Sequence, residues 1–399
     1  MIYTLQYLRA LAVILVVMSH IAFKSSVTGH AVFEGFRIGA SGVDIFFVVS
    51  GLVMAMIYTR SHERSARGIG RFWVARFSRI FPLYWLVTSA ALVLFLANPS
   101  LVNANSDGPT SIWRSYTLIP TLQQTTVAFL IGPGWSLSFE LYFYVLFSAA
   151  FLVARKTLGI TLVASGLVIL AAGSVTGVAT TYLLTSPLLL EFVFGMAIFK
   201  LYDVLDGRIP LVPGIVGIVL GMAGFVALNG PAVFDLHQRW WQAGLPSALL
   251  VGSVLAFEAR AERMPSKTLL LIGDASYALY LVHVFVLGAA SRLFTLFHLG
   301  ALGSTIEVVF WLGTLGVTVV AGCVTHVLIE RPMNRWVRSR LSPASSTSWP
   351  GTNEKAAIAR GLFVSRDAVS LRQRAPSSFL PHCAPRRHAA PRCRSRRPR

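Results

Sequence analysis

Residues 5–23 read LQYLRALAVILVVMSHIAF, an apolar segment that contains two polar side chains of interest, Arg9 and His20. They are eleven positions apart, close to three whole helical turns, so they share one face of a helix, roughly 16 Å apart along its axis. A charged or titratable group in a membrane helix costs about 2.5–3.5 kcal/mol and normally faces protein or a water-filled cavity. The segment therefore predicts a membrane helix with a functional polar face.

The composition excludes a soluble protein. Apolar residues make up 55% of the chain and charged residues only 13%, and apolar runs of about twenty residues recur, which is the length that crosses a bilayer as a helix. The three cysteines form neither a disulfide framework nor a metal-site pattern. We predict an all-α fold: a polytopic membrane bundle of about ten transmembrane helices, with no metal site.

The distribution of arginine and lysine predicts the orientation of this bundle. These residues concentrate in alternate short loops, which identifies those loops as cytoplasmic and places both termini there. The stretch 116–131 is too polar for a span and is interpreted as re-entrant or interfacial. The ten predicted spans are 5–23, 41–58, 80–97, 137–154, 158–178, 186–203, 211–229, 244–258, 272–291 and 305–328.

The chain divides into two parts. Residues 1–340 form the predicted membrane domain, and residues 341–399 form a basic Pro/Ser/Arg-rich tail, predicted to be disordered and cytoplasmic. The tail has twelve cations and two acids, hence +10 of the formal charge of +19. Such a segment is attracted to anionic lipid headgroups. It lacks the interleaved aromatics of a nucleic-acid-binding segment, so no nucleic-acid partner is predicted.

The polar residues of the spans sort by predicted depth. Carboxylates and imidazoles fall toward the outside and guanidinium groups toward the inside. Toward the outside lie His20, Asp44, Glu140, Glu191 and, from mid-depth outward, Tyr277, Tyr280 and His283; toward the inside lie Arg9, Arg76 and Arg79.

Most of these residues also have a purely structural interpretation. Asp44 and Glu140 are each compatible with a role at a helix start, and Asp274 with an N-cap. The two tyrosines are compatible with core or interfacial packing, His283 with a packing histidine, and the arginines from Arg60 to Arg79 with a topology signal.

An outer imidazole and an inner arginine cluster suggest acyl transfer across the membrane. Imidazole has an ordinary pKa near ~6.5, so His20 is suited to accept a proton near neutral pH. Asp44 or Glu140 is a candidate to orient the ring. The fork-shaped guanidinium groups of the predicted inner arginines are suited to bind phosphate. The combination fits a phosphorylated cytoplasmic donor, such as acyl-coenzyme A, and an extracytoplasmic hydroxyl.

Five motifs resemble the acyltransferase-3 family of integral membrane O-acyltransferases, in particular its exopolysaccharide acetyltransferase-like branch. They appear in the family's order within residues 1–340, and the first and third carry the Arg-x10-His and Arg-x-x-Arg spacings. The motifs are YLRALAVILVVMSH (7–20), GVDIFFVVSGLVM (42–54), RFWVARFSRIFPLYWL (71–86), GPGWSLSFELYFY (132–144) and SYALYLVHVFV (276–286).

The resemblance implies a donor, an acceptor and a set of site residues. The donor is acyl-coenzyme A, with acetyl as the expected group and no permanently bound cofactor, and the acceptor is a carbohydrate hydroxyl of a polysaccharide or lipid-linked oligosaccharide. His20 is the implied catalytic base, and Arg9, Arg76 and Arg79 lie on the donor side. Trp135, Tyr277, Tyr280 and His283 are assigned to substrate binding. Direct transfer and an acyl-His20 relay both stay open, in a multi-pass protein of the bacterial plasma (inner) membrane.

Two other classes of function remain open on the sequence alone. A polysaccharide-precursor transporter or flippase would use buried His, Asp and Glu as a proton relay, but the matching broken helices that such a protein needs are not evident. A non-catalytic partner of a polysaccharide synthase would not depend on His20 or Arg76.

Overall fold

The computed structural model describes residues 2–27, 32–61, 63, 65–103, 109–119, 129–153, 155–175, 184–228 and 236–341. Every element within these ranges is helical, which confirms the all-α prediction. The predicted tail beyond Leu341 and most of the predicted re-entrant stretch, residues 120–128, lie outside the described residues.

Sixteen α-helices account for most of the described chain, with short 3-10 segments at Glu34–Ser41, Ala149–Leu152, Leu255–Phe257 and Leu299–Leu302 and a π-helical turn at His326–Glu330. The α-helices are α1 (Tyr3–Val27), α2 (Gly42–Arg60), α3 (Ala66–Ala97), α4 (Ser100–Asn103), α5 (Ile112–Thr117), α6 (Gly134–Ser148), α7 (Lys156–Val175), α8 (Leu189–Val204), α9 (Leu211–Leu228), α10 (Leu236–Gln242), α11 (Gly244–Val254), α12 (Glu258–Arg263), α13 (Lys267–Asp274), α14 (Ser276–Leu296), α15 (Ser304–Thr325) and α16 (Arg331–Leu341).

Within the described ranges, nine helical segments are long and apolar enough to cross a membrane. The predicted span 186–203 corresponds to α8, which has 16 residues and is shorter than the ~20 that a spanning helix usually needs. The protein is therefore a multi-pass membrane protein, while the count of ten spans and the placement of the termini stay predictions.

Helix α8 lies in close contact with α2 because glycines face each other at the crossing. A Cβ atom added at Gly51 would lie 2.1 Å from the carbonyl oxygen of Phe192, and one added at Gly195 would lie 2.0 Å from that of Val48. Small residues at such a crossing allow helix backbones to touch.

Helix α1 is a continuous helix of 25 residues, and its N-terminus is capped by a distant side chain. The carboxylate of Glu258 accepts hydrogen bonds from the backbone N–H groups of Tyr3 (2.7 Å) and Thr4 (2.9 Å). A carboxylate at this position satisfies unpaired N–H donors and complements the helix dipole. Because α1 is unbroken between Arg9 and His20, the predicted common face is preserved.

Two of the helix boundaries that differ from the sequence prediction affect the candidate site residues. Helix α3 begins at Ala66 and not at residue 80, so Arg76 and Arg79 lie on a helix and not in an inner loop. Phe72 holds this first part of α3 against the bundle through edge contacts with the Tyr144 ring. Helix α6 begins at Gly134, so Glu140 lies well inside the helix and not in its first turn.

Candidate active site

The ring of His20, near the C-terminal end of α1, stacks on the ring of His283 from α14. The ring centroids are 4.9 Å apart and the planes differ by 26°. His283 is fully buried, so the stacking directs the His20 ring toward the bundle interior. His20 itself is exposed. It therefore combines a ring stacked on a buried histidine with an exposed position.

The His283 ring is held in one orientation by its own helix. Its Nδ1 atom lies 2.7 Å from the carbonyl oxygen of Tyr280, and a carbonyl only accepts, so Nδ1–H donates and Nε2 carries the lone pair. That Nε2 atom is buried and has no hydrogen-bond partner among the described residues. The packing interpretation of His283 and its assignment to substrate binding both stay predictions.

Tyr280 connects α14 to the start of α6. Its hydroxyl lies 2.6 Å from Ser136 Oγ, and Ser136 Oγ donates to the carbonyl oxygen of Pro133 at 3.0 Å. Because serine has a single O–H donor, Tyr280 is the donor to Ser136. The motif around Trp135 thus positions the helix that carries His283.

Asp44 forms a buried ion pair with Arg239, a residue of the short helix α10. The guanidinium donates to both carboxylate oxygens, at 2.7–3.1 Å, and to the carbonyl oxygen of Ala40 at 2.7 Å. The same guanidinium lies 5.7 Å from the ring centroid of Trp135. Through Arg239, Asp44 thus holds α10 and Trp135 in place. This role differs from the helix capping that the sequence also allowed. We call His20, Asp44, Trp135, Tyr280 and His283 the histidine region.

Glu140 belongs to a second cluster. Its carboxylate accepts hydrogen bonds from the hydroxyls of Ser50 (3.0 Å) and Tyr144, and the guanidinium of Arg76 lies 5.8 Å from the Tyr144 ring centroid. Arg79 lies close enough to Tyr144 for electrostatic interaction. The structure thus groups Glu140 with residues predicted to lie toward the inside, while its depth in the membrane stays a prediction.

Arg9 completes this second cluster. It donates to Ser276 Oγ at 2.8 Å and to Gln6 Oε1 at 3.3 Å, both uncharged groups, and it is within electrostatic range of Arg79 and Glu140. Within the described chain, none of these three arginines forms an ion pair, although all are half-buried. We call Arg9, Arg76, Arg79, Glu140 and Tyr144 the arginine region.

The structure thus divides the predicted site residues into two groups joined by α1. His20 makes its described ring contact with His283, while Asp44 binds Arg239 and Glu140 binds Ser50 and Tyr144. That Asp44 or Glu140 orients the His20 ring stays a prediction. The Tyr277 hydroxyl donates to the carbonyl oxygen of Ile80 at 2.7 Å and so fastens α14 to α3.

Arg239 is the residue that sequence reasoning missed. A single arginine beside a predicted outer loop carries no pattern, and its partner Asp44 lies 195 positions away. The available signal was QRWW in residues 238–241, where an arginine adjoins aromatic residues near the start of a span. Arginine stacked on an aromatic face is a common arrangement in buried polar sites.

A family model described as an acyltransferase domain matches residues 2–327. The exopolysaccharide production protein ExoZ of Rhizobium meliloti (strain 1021) is 32% identical over 324 residues, 78% of this chain and 94% of the relative. The acyltransferase MdmB of Streptomyces mycarofaciens is 28% identical over 405 residues, 88% of this chain and 96% of the relative.

A third relative matches a smaller part. The peptidoglycan O-acetyltransferase OatA of Listeria monocytogenes serovar 1/2a is 28% identical over 158 residues, which is 37% of this chain and 24% of the relative. No solved structure matches the chain. The matched domain, residues 2–327, contains the whole histidine region and the whole arginine region.

Proposed function

Since this chain belongs to the acyltransferase-3 family, we propose that it is an O-acyltransferase that moves an acetyl group from cytoplasmic acyl-coenzyme A to a sugar hydroxyl. The acceptor is an exopolysaccharide or its lipid-linked precursor, and the site is in the bacterial plasma membrane. The relatives support this choice, because one is named for exopolysaccharide production and another for O-acetyl transfer.

The donor assignment rests on the arginine region. Arg9, Arg76 and Arg79 are half-buried and form no ion pair within the described residues. The Glu140 carboxylate near them already accepts two hydroxyl hydrogen bonds. Half-buried guanidinium groups without an acidic partner favour a multiply charged anion as ligand, and arginine matches phosphate geometry well. The phosphates of coenzyme A meet this requirement. The absence of an ion pair at these three half-buried arginines, among the described residues, is the observation that carries the proposal.

The transfer step takes place at His20. The imidazole accepts the proton of the sugar hydroxyl as the hydroxyl oxygen attacks the thioester carbonyl carbon. The tetrahedral intermediate then collapses: the C–S bond breaks, the sugar ester remains, and the departing thiolate takes the proton from the imidazolium. His283 keeps the His20 ring oriented by stacking, and the half-buried Trp135 offers an aromatic face to the sugar.

The same geometry accommodates a relay in which the His20 nitrogen attacks the thioester first. An acetyl-imidazole then forms, coenzyme A leaves, and the sugar hydroxyl displaces the imidazole. Initial-rate kinetics separate the two routes, because the relay gives ping-pong kinetics and direct transfer requires both substrates to be bound together.

The proposal is tested by His20→Ala in cells and in purified protein. We expect a loss of acetyl transfer of about 10²–10⁴-fold, the usual contribution of a general base. Mass spectrometry of surface polysaccharide, with and without the chain, measures the product, and radiolabelled acetyl-coenzyme A with the purified protein in vesicles measures the reaction. His298→Asn is a matched control: His298 is exposed with φ +52°, a conformation that asparagine tolerates.

Acetylation that survives His20→Ala at normal protein levels would exclude the mechanism. Movement of the polysaccharide precursor across vesicles without acetyl incorporation would instead identify a transporter.

A further inference from the structure

Helix α16 carries a face of arginines whose purpose the transfer mechanism does not explain. Arg331, Arg335 and Arg338 are exposed and follow one another at intervals of four and three, so they lie on one side of the helix. Arg340 is nine positions from Arg331, which is two and a half turns, and therefore lies on the opposite side. We call the first three the α16 arginine face.

One end of this face contacts the helix that carries the donor arginines. Arg338 Nε donates to Ser78 Oγ at 3.1 Å. Ser78 is fully buried and lies between Arg76 and Arg79 in sequence, on the same turn of α3. The contact therefore holds Arg338 against the turn of α3 that carries Arg76 and Arg79.

The other end of the face reaches the surroundings of Arg9. Arg331 lies 3.5 Å from the Asp274 carboxylate, and Asp274 is within electrostatic range of Arg9. Asp274 closes α13 and does not cap α14 through its side chain, so the predicted N-cap is wrong. The α16 arginine face thus extends from α3 to the α13–α14 junction.

A π-helical turn determines where α16 points. Residues His326–Glu330 adopt this conformation between α15 and α16, and His326 Nδ1 lies 2.6 Å from Glu330 Oε2. Arg331 Nε donates to His326 Nε2 at 3.0 Å. A π turn changes the direction of the side chains that follow and is frequent at functional sites. The hydrogen bonds fix the start of α16 with its arginine face toward α3.

We propose that the α16 arginine face binds the 3′-phosphate of coenzyme A, while Arg76 and Arg79 hold the diphosphate; this inference rests on the proposed donor. Coenzyme A carries two separate phosphate groupings joined by a ribose, and the structure offers two adjacent arginine groupings. Arginine is well suited to each, because its fork forms paired hydrogen bonds to phosphate oxygens.

Anionic lipid headgroups share this phosphate chemistry, because an amphipathic helix with exposed arginines also binds membrane surfaces. The donor is favoured because the hydrogen bond from Arg338 to the buried Ser78 holds the guanidinium on the turn of α3 that carries Arg76 and Arg79.

The test measures binding of coenzyme A and of dephospho-coenzyme A, which lacks only the 3′-phosphate, by isothermal titration calorimetry. The full chain is placed in nanodiscs of phosphatidylcholine, which has no net charge. We expect the unaltered protein to bind coenzyme A about tenfold more tightly than dephospho-coenzyme A. Arg338→Gln should remove this preference and leave the affinity for dephospho-coenzyme A unchanged.

Two variants make the result specific. Arg340→Gln removes the same charge from the opposite side of the same helix and should keep the preference. Arg335→Gln should reduce the preference for coenzyme A and leave the hydrogen bond to Ser78 in place, because the described hydrogen bond of Arg335 goes to the carbonyl oxygen of Arg331. This variant replaces Arg338→Gln as the test if Arg338→Gln does not fold.

Each other outcome overturns the inference. Equal losses in Arg338→Gln and Arg340→Gln would mean that only net charge matters. An unaltered protein that binds both ligands equally would remove the 3′-phosphate site and leave the proposed donor intact. A preference that is abolished when phosphatidylglycerol is present in the discs would assign the face to lipid. Failure to bind coenzyme A at all would overturn the proposed donor together with this inference.

Discussion

The histidine region and the arginine region lie at opposite ends of the same stretch of α1, and they treat charge in opposite ways. In the histidine region, the Asp44 carboxylate is paired with Arg239 through three buried hydrogen bonds. In the arginine region, none of the three arginines forms an ion pair within the described residues. The carboxylate of the first region is thus paired inside the protein, whereas the arginines of the second are the groups to which we assign an anionic ligand.

The largest expected effect comes from removing the ion-pair partner of Asp44 in the histidine region. Arg239→Ala leaves the Asp44 carboxylate buried and uncompensated, which costs about 3–5 kcal/mol of folding free energy. Unfolding in detergent by chemical denaturant measures this loss. The matched control is Arg71→Ala, which removes a 2.6 Å ion pair with Glu63 in which the arginine side chain is 50% exposed; the expected cost there is at most about 1 kcal/mol. Equal costs for both variants would contradict the comparison.

A smaller effect, of a different kind, is expected in the arginine region. Arg79→Gln should weaken coenzyme A binding by about 1.5–3 kcal/mol, the usual value of a hydrogen bond to a charged group. The unfolding midpoint should stay unchanged, because Arg79 has no ion-pair partner to lose within the described residues. Titration calorimetry and denaturant unfolding separate the two effects.

Arg67→Gln is the control for this variant, since Arg67 is an exposed residue of the same helix. A loss of stability in Arg79→Gln without a loss of donor affinity would show that the arginine region is structural.

The smallest effect concerns the direction of one hydrogen bond in the histidine region. Ser136→Ala leaves the buried Tyr280 hydroxyl without its acceptor and should cost about 1–3 kcal/mol. Tyr280→Phe removes only the donor, and Ser136 keeps its bond to the carbonyl oxygen of Pro133, so the cost should be about 1 kcal/mol or less. Unfolding of the two variants measures the difference, and the reverse order would show that Ser136 is the donor.

The helical spacing of residues in the sequence predicted how the two regions are connected, because each region includes a residue of α1. The eleven-residue spacing placed Arg9 and His20 on one face, and α1 keeps them there. The start of α3 was missed because RFWVARFSRIF interrupts its aromatic residues with arginines, which lowers local hydropathy. The aromatic contacts of Phe72 fix that segment in the bundle, and no hydropathy window reports such contacts.

Partnerships between distant residues were not accessible from the sequence. The Asp44–Arg239 pair and the His20–His283 stack each join segments that are far apart in the chain, and periodicity reports only local spacing. The start of the helix that carries Glu140 was set three residues late. The pairing of Glu140 with Ser50 depends on how α2 and α6 pack, which a single sequence does not specify.

The unbroken backbone of α1 has a consequence for substrate selection. Because α1 is a continuous helix, the distance between Arg9 and His20 is set by the number of residues between them. For the donor that we propose, this distance decides how far the thioester must reach beyond the arginines. A single inserted residue would swing the imidazole by about 100°. Among proteins that transfer acyl groups of different sizes, we therefore expect the residues around the His20 ring to vary. The number of residues between Arg9 and His20 should stay the same.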